Sequence, residues 1–343
     1  KDGCSGQAAC GACLVEVSGK AALACSTPIH KVAGKEIVTL EGLPQSLLRT
    51  LGRAFVSKGA VQCGFCTPGF LTRTKILLAK NPAPTRQEVV KAVGFHLCRC
   101  TGYVKIVDAV LEAAAALRDG REIPFEDGAG IGVSSPKYRA FERAIGRKPF
   151  IDDLRFDGMV HGALRFSDHP RARVLSIDLD EAGKAPGVIR IFTAADIPGE
   201  RNVGPIVQDW PVMIKVGETT RYIGDVLAGV VAETEDQARN TAKLIHVEYE
   251  VLEPLTDMTK AETSPVKIHA DGNLLFAQTI RRGEPVEKVL DGSAYVARGV
   301  LENQMVDHGF LEPESSVAVP FKDGIQVYTQ SQGIYADHHE IAS

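Results

Sequence analysis

All eight cysteines of this 343-residue chain, Cys4, Cys10, Cys13, Cys25, Cys63, Cys66, Cys98 and Cys100, fall within its first hundred positions, and residues 101–343 have none. Such crowding demands a local use. Disulfide scaffolds suit short secreted chains that cannot build a core, whereas here a long cysteine-free remainder folds without staples. Thiolate ligation of a metal in a reducing, cytoplasmic compartment is the favoured use, and disulfides the lesser one. With 44% hydrophobic residues and a length beyond what one core usually holds, the chain is expected to form at least two domains. The net charge of −4, interleaved in sign, offers no basic face for nucleic acid. No apolar run approaches the ~20 residues of a membrane span, and nothing at the start reads as a signal peptide. Lys1 is not an initiator methionine, so the natural N-terminus is expected further upstream.

Residues 1–43 read as a small β unit, with strand-like runs at Leu14 to Val17 and Glu36 to Leu40 between turn residues. From Pro44 the apolar period becomes helical, predicting helices over Ser46 to Val56, Gly69 to Ala79, Arg86 to His96 and Val104 to Leu117. Thr85 and Glu88 form a capping box at the third. Residues 121–135, with Asp127-Gly128-Ala129-Gly130, have the composition of a linker. Strands at Met159 to Phe166, Val174 to Leu179, Val188 to Thr193, Val226 to Ala232 and Val247 to Val251 then alternate with a helix over Glu235 to Ile245, which argues a mixed α+β domain over 136–256. After Pro265 a further strand-rich region is expected, including Ile325 to Tyr328, which places a last domain at 257–343.

The cysteines divide into two groups of four. Cys4, Cys10 and Cys13 share one loop rich in Gly and Ala, and Cys25 follows a hairpin-like stretch. This approaches the plant-type 2Fe-2S pattern C-x4-C-x2-C with a distant fourth cysteine, although five residues rather than four separate Cys4 from Cys10. A Cys4 zinc site, which normally shows two CxxC knuckles, is the competing reading. In the second group Cys63-Gly64-Phe65-Cys66 and Cys98-Arg99-Cys100 each precede a helix, with 31 residues between Cys66 and Cys98. Helix N-termini offer free amides and positive dipole ends to an anionic cluster. Alone, the CxxC would fit a thioredoxin-like redox site or a zinc knuckle equally well.

Taken with Gln62-Cys63-Gly64-Phe65-Cys66-Thr67-Pro68-Gly69 and Cys98-Arg99-Cys100-Thr101-Gly102-Tyr103, the chain resembles the xanthine oxidase family of molybdenum hydroxylases. The resemblance implies a β-grasp ferredoxin-like domain whose 2Fe-2S cluster is held by Cys4, Cys10, Cys13 and Cys25. It also implies a four-helix domain over 44–120 whose cluster is held by Cys63, Cys66, Cys98 and Cys100. Gln62 and Cys100 would adjoin the pterin of the molybdenum cofactor. Gly158 to Ser167, Pro170-Arg171-Ala172, Tyr222 to Val226 and Ala238 to Val251 are similar to the α/β hammerhead domain. His308 to Glu314 and Tyr328-Thr329-Gln330-Ser331-Gln332 are similar to the start of the molybdopterin-binding domain, where Gln330 would hydrogen-bond a molybdenum oxo ligand.

The activity so implied is hydroxylation of an electron-poor carbon with water-derived oxygen, the electrons leaving through two 2Fe-2S clusters. The catalytic glutamate would lie beyond Ser343. The 121–135 linker is too short for a flavin domain, so FAD is expected on a separate partner subunit, or a different acceptor is used. The long Cys4 loop and Leu311-Glu312-Pro313-Glu314 look most like selenium-dependent xanthine dehydrogenases, which favours a purine substrate. A flavin-free aldehyde oxidoreductase and a non-catalytic electron-transfer subunit are the alternatives. Weaker candidates have plainer explanations: His338-His339-Glu340 reads as a solvated helix start, His161 and His308 as structural imidazoles, and Trp210 as a loop anchor.

Overall fold

The computed structural model describes residues 3–124, 130–204, 207–309 and 311–343. The Phe125 to Ala129 part of the expected linker and Phe310 lie outside the described residues. The fold is mixed α+β, and the chain gathers into two compact units: Lys1–Leu154 with Glu302–Gln330, and Arg155–Leu301 with Ser331–Ser343.

In the first unit β1 (Leu14–Val17) lies between β2 (Lys20–Leu23) and β3 (Ile37–Val38), antiparallel to both. Ser18 and Gly19 join β1 to β2 with positive φ at both positions, 45° and 77°, the backbone twist that suits a two-residue hairpin. Four helices follow: α1 (Gln45–Ser57), α2 (Thr67–Lys80), α3 (Arg86–Val93) and α4 (Val104–Asp119). Leu51, Phe55, Phe70, Leu71, Ile106 and Val110 point inward at the spacing read from the sequence and form one core. Each such side chain contributes about 1.5–3 kcal/mol on burial. The Thr85–Glu88 capping box is present. Helix α3 ends at Val93 rather than His96, because Gly94 lets the chain tighten into a turn in which His96 N–H donates to Val93 C=O at 3.0 Å. That turn releases Leu97 N–H for another partner.

Residues 121–124 stay against the helices, with Ile123 only 3% exposed and Arg121 paired to Glu112 at 2.8 Å. Helix α5 (Ala140–Ala144) packs on α1. The antiparallel hairpin of Ser316–Phe321 with Gly324–Thr329 completes this unit.

The second unit contains β4 (His161–Phe166), β5 (Ala172–Asp178), β6 (Val188–Phe192), β7 (Asn202–Val203), β8 (Trp210–Pro211), β9 (Val226–Ala232), α6 (Glu235–Ala242) and β10 (His246–Val251). Strand β9 is central in an antiparallel β4-β9-β6 sheet, and its near-continuous Val, Leu and Ala sequence fits burial on both faces. Helix α6, capped by Thr234 and Gln237, closes one face over Ala182, Ala228, Val230, Ala242 and Ile245. Trp210 packs edge-on to Tyr222 at 5.4 Å, as an anchor should.

Three expectations need correction. Between Pro265 and Ser315 the described residues hold no strand, only an isolated bridge from His269 to Gly272 and α7 (Val286–Asp291). A strand needs a ladder partner, and without one Leu275, Phe276, Tyr295 and Leu301 stay exposed despite their β propensity. His338-His339-Glu340 falls inside α8 (Ile334–Ala342), not at a helix start. His308 is 89% exposed and 3.9 Å from Asp307, so it is a solvated side chain rather than a structural one.

One close approach positions the site. Helix α2 meets the Gly3–Cys13 loop with no side chain between them, and a Cβ added at Gly69 would collide with Gly11 C=O. Gly69→Ala is therefore expected to cost about 1–3 kcal/mol by overpacking. Thermal or urea unfolding measures this, and a loss below about 0.5 kcal/mol would mean that the approach is not tight.

Candidate metal centres

The first sulfur group is shaped by an unusual loop. Ser5, Gly6, Ala8 and Gly11 all have positive φ, which turns successive amides inward around the thiols. Ala12 N–H points at Cys10 Sγ from 3.5 Å, and Cys10 is 1% exposed. Cys25 sits on the 3-10 turn Ala24–Ser26, held to the loop by Ala24 N–H donating to Cys13 C=O at 3.2 Å. Among the four sulfurs Cys4 contacts Cys10 and Cys13 contacts Cys25, and Cys25 also feels the charge of Cys4. Backbone amides of Ala9 and Cys10 hold the Cys4 thiol below its usual range. Burial raises Cys10, and the contact with Cys13 raises Cys25.

The second group lies where α2 and α4 begin. Cys66 is the residue before α2, and Cys98 and Cys100 precede α4. Cys63 Sγ and Cys100 Sγ are 3.8 Å apart, while Cys66 shares a hydrogen bond with Cys98. Pairing thus runs across the two motifs and not within the CxxC. Two thiolates this close would repel by about 4 kcal/mol at an effective dielectric of 20. The close approach and the burial shift the thiols accordingly. The hydrogen bond from Cys66 brings Cys98 down to about 5, with Thr101 Oγ1 assisting at 3.1 Å. Cys66 itself is driven upward by the same bond and by burial, and burial pushes Cys63 up to about 11. Binding of a metal to such thiols releases their protons.

One metal ion and two make different demands on such a donor set. A tetrahedral zinc with Zn–S near 2.3 Å keeps every sulfur about 3.8 Å from the other three. Among the described residues no three of His, Cys, Asp and Glu converge in that way. Pairs of sulfurs, two pairs to a group, are what a two-iron cluster with two thiolates on each iron requires. All eight cysteines are free of disulfides. The donor set therefore fits 2Fe-2S chemistry.

Surrounding residues fix the groups in place. Gln62 Nε2 donates to Cys100 C=O at 2.8 Å, tying the CxxC segment to the CxC segment. Gln330 is engaged within its own hairpin: its carbonyl accepts from Ser315 N–H at 2.8 Å and its amide donates to Pro313 C=O. Cys10, Ala12, Phe65 and Phe150 form a small apolar cluster that Cys4 and Cys63 both touch. Sequence reasoning assigned no role to His96 or Tyr103. Burial and the charge of Arg73 hold the His96 imidazole neutral, down to about 4. Tyr103 adopts φ 69°, a left-handed conformation that a bulky side chain rarely takes. A tyrosine directly after Gly102, at the start of a helix, was the available signal.

The pattern of the [2Fe-2S] binding domain matches residues 39–111, and that of the aldehyde oxidase and xanthine dehydrogenase a/b hammerhead domain matches residues 145–253. The aldehyde oxidoreductase of Megalodesulfovibrio gigas is 31% identical over 365 residues, a match covering 100% of this chain and 40% of that protein. The nicotinate dehydrogenase small FeS subunit of Eubacterium barkeri is 45% identical over 114 residues, covering 32% of this chain and 70% of the subunit. A solved structure of aldehyde oxidoreductase from Desulfovibrio gigas superposes with a TM-score of 0.83 at 30% identity, covering 95% of this chain and 39% of that one. The chain belongs to the xanthine oxidase family of molybdenum hydroxylases, with its 2Fe-2S binding and hammerhead domains. It spans 40% of the length of the aldehyde oxidoreductase it matches end to end.

The pairing has a direct chemical test. Mild oxidation of iron-free protein should link Cys63 to Cys100, whose sulfurs are already 3.8 Å apart. Peptide mapping under non-reducing conditions reads the bond, and a Cys63–Cys66 link would restore the thioredoxin-like reading.

Proposed function

We propose that residues 3–120 carry two 2Fe-2S clusters that relay electrons for a molybdenum hydroxylase. Cys4, Cys10, Cys13 and Cys25 ligate one, within a ferredoxin-like domain over 1–43. Cys63, Cys66, Cys98 and Cys100 ligate the other, within a helical domain over 44–120. The observation that carries this reading is the close approach of the sulfurs, Cys63 and Cys100 at 3.8 Å among them, in a chain whose residues 39–111 match the [2Fe-2S] binding domain. Residues 121–135 are then the linker, 136–256 the hammerhead domain and 257–343 the beginning of the molybdopterin-binding domain.

Such groups supply one-electron transfer at the iron–sulfur centres and two-electron oxidation at the molybdenum pterin. The chain's own part is to hold and shield. Inward amides of the 3–13 loop offset thiolate charge, and the N-terminal ends of α2 and α4 do the same for the second group. Gln62, through its remaining amide hydrogen and carbonyl, and Gln330, through its remaining amide hydrogen, are the residues we assign to the pterin side, with Cys100 beside them. The cytoplasm is the location proposed, and no helix among the described residues is long and apolar enough to cross a membrane. FAD, if it is the acceptor's cofactor, belongs to a partner subunit.

The reaction proposed for the whole protein is hydroxylation of a purine, xanthine-like carbon with oxygen from water. It is supported by the resemblance of the long Cys4 loop, Leu311-Glu312-Pro313-Glu314 and Tyr328 to Gly333 to selenium-dependent xanthine dehydrogenases. An aldehyde substrate is the second reading, supported by the end-to-end likeness to an aldehyde oxidoreductase.

Metal analysis tests the relay. Iron and acid-labile sulfide should each approach about four atoms per chain, from two 2Fe-2S clusters. Stoichiometric zinc without sulfide would defeat the proposal.

A further inference from the structure

A backbone hydrogen bond joins the two cysteine groups. Leu97 N–H donates to Cys10 C=O at 2.9 Å, so a ligand of one group accepts from the neighbour of a ligand, Cys98, of the other. Covalent bonds run from Cys10 Sγ to its carbonyl and from the Leu97 amide to Cys98 Sγ, with only that hydrogen bond between them. The segment carrying the donor is clamped throughout. Tyr103 O–H donates to His96 C=O at 3.2 Å and its oxygen accepts from Cys98 N–H at 3.0 Å. Tyr103 makes both bonds from a backbone at φ 69°, a conformation costly for a residue with a bulky side chain.

On the other side of the bridge stands His96, 2% exposed and tilted over Phe70 at 4.9 Å between centroids. Its Nε2 faces Arg73 Nε–H at 3.3 Å and must accept, since a guanidinium only donates, so the ring hydrogen resides on Nδ1. That Nδ1 is buried, has no partner of good hydrogen-bond geometry among the described residues, and is pressed against Gly11. A Cβ at Gly11 would lie 2.5 Å from it, so only glycine lets the Cys10–Gly11 peptide seat there. The imidazole therefore sets where the Cys10 carbonyl stands relative to the Leu97 amide.

We propose that the Cys10 C=O to Leu97 N–H bond is the electronic link between the two clusters, with His96 and Tyr103 as the positioning residues that hold it closed. This rests on the two-cluster reading above. Each chain in which both clusters are reduced carries two unpaired spins, and a bond-mediated link adds an exchange contribution to their magnetic interaction that a simple separation does not.

The test uses the iron-loaded protein and its variants Tyr103→Phe, His96→Phe and His96→Gln. For each, iron and sulfide content is measured first, followed by the paramagnetic resonance spectrum of the fully reduced state. Time-resolved redistribution of a single injected electron between the clusters is measured last. Tyr103→Phe keeps the ring but releases the 96–98 segment, and His96→Phe keeps the stack but removes the nitrogens. Both should load fully, lose most of the spin–spin splitting and slow the redistribution several-fold. His96→Gln returns an amide donor and acceptor and should recover most of the splitting. Full loading with wild-type splitting and rate in Tyr103→Phe and His96→Phe overturns the link while leaving the two-cluster reading intact. Loss of a cluster from these variants also overturns it, by making both residues parts of a ligand loop's fold. Wild-type protein lacking sulfide would sink both readings together.

Discussion

Bringing like charges within contact distance is the constraint that governs the cysteine-bearing unit. A pair such as Cys63 and Cys100, with sulfurs 3.8 Å apart, is costly unless something positive or proton-sharing stands between its members. The chain meets that cost in two ways. Around the first group it bends a loop through Ser5, Gly6, Ala8 and Gly11 so that amides face the thiols, and Cys4 is lowered by them. Around the second it places thiols at the starts of α2 and α4, where unsatisfied amides and dipole ends already exist. The β unit and the helices thereby reach the same electrostatic result with different backbones.

Much of this was legible because cysteine spacing reports which thiols can meet. The division into four and four follows from loop lengths, and the helices α1 to α4 follow from apolar periodicity and the Thr85–Glu88 cap. The pairing within the second group was not legible. Sequence proximity joins Cys63 to Cys66, yet Cys63 faces Cys100, because that choice depends on how the segments before two helices oppose each other in space. His96 was equally hidden. A lone histidine beyond a helix end has no pattern of its own, and its meaning lies in the absence of a Cβ at Gly11, far away in sequence. Gln330 was singled out by its neighbours, but its engagement by Ser315 and Pro313 is a property of the hairpin.

The second unit shows the opposite balance. Val226–Ala232 was read to the residue because a strand buried on both faces writes a continuous apolar run. The stretch from Pro265 to Ser315 carries Leu, Val, Phe and Tyr in similar density but forms no ladder among the described residues. Propensity proposes strands, and only a partner with free amides and carbonyls makes them.

Close packing around the cysteines also limits where variation can be tolerated. Gly69 admits Gly11 C=O, Gly11 admits the His96 ring, and the ring in turn rests on Phe70, one residue from Gly69. These four residues form a closed circuit in which each position is sized by the next, so enlarging one displaces the other three. Interiors packed at near-crystalline density transmit such shifts and do not absorb them. A circuit of this kind, wrapped around Cys10 and Cys98, keeps two groups on different secondary structures at a fixed separation. In the two-cluster reading proposed above, electron exchange would depend on that separation.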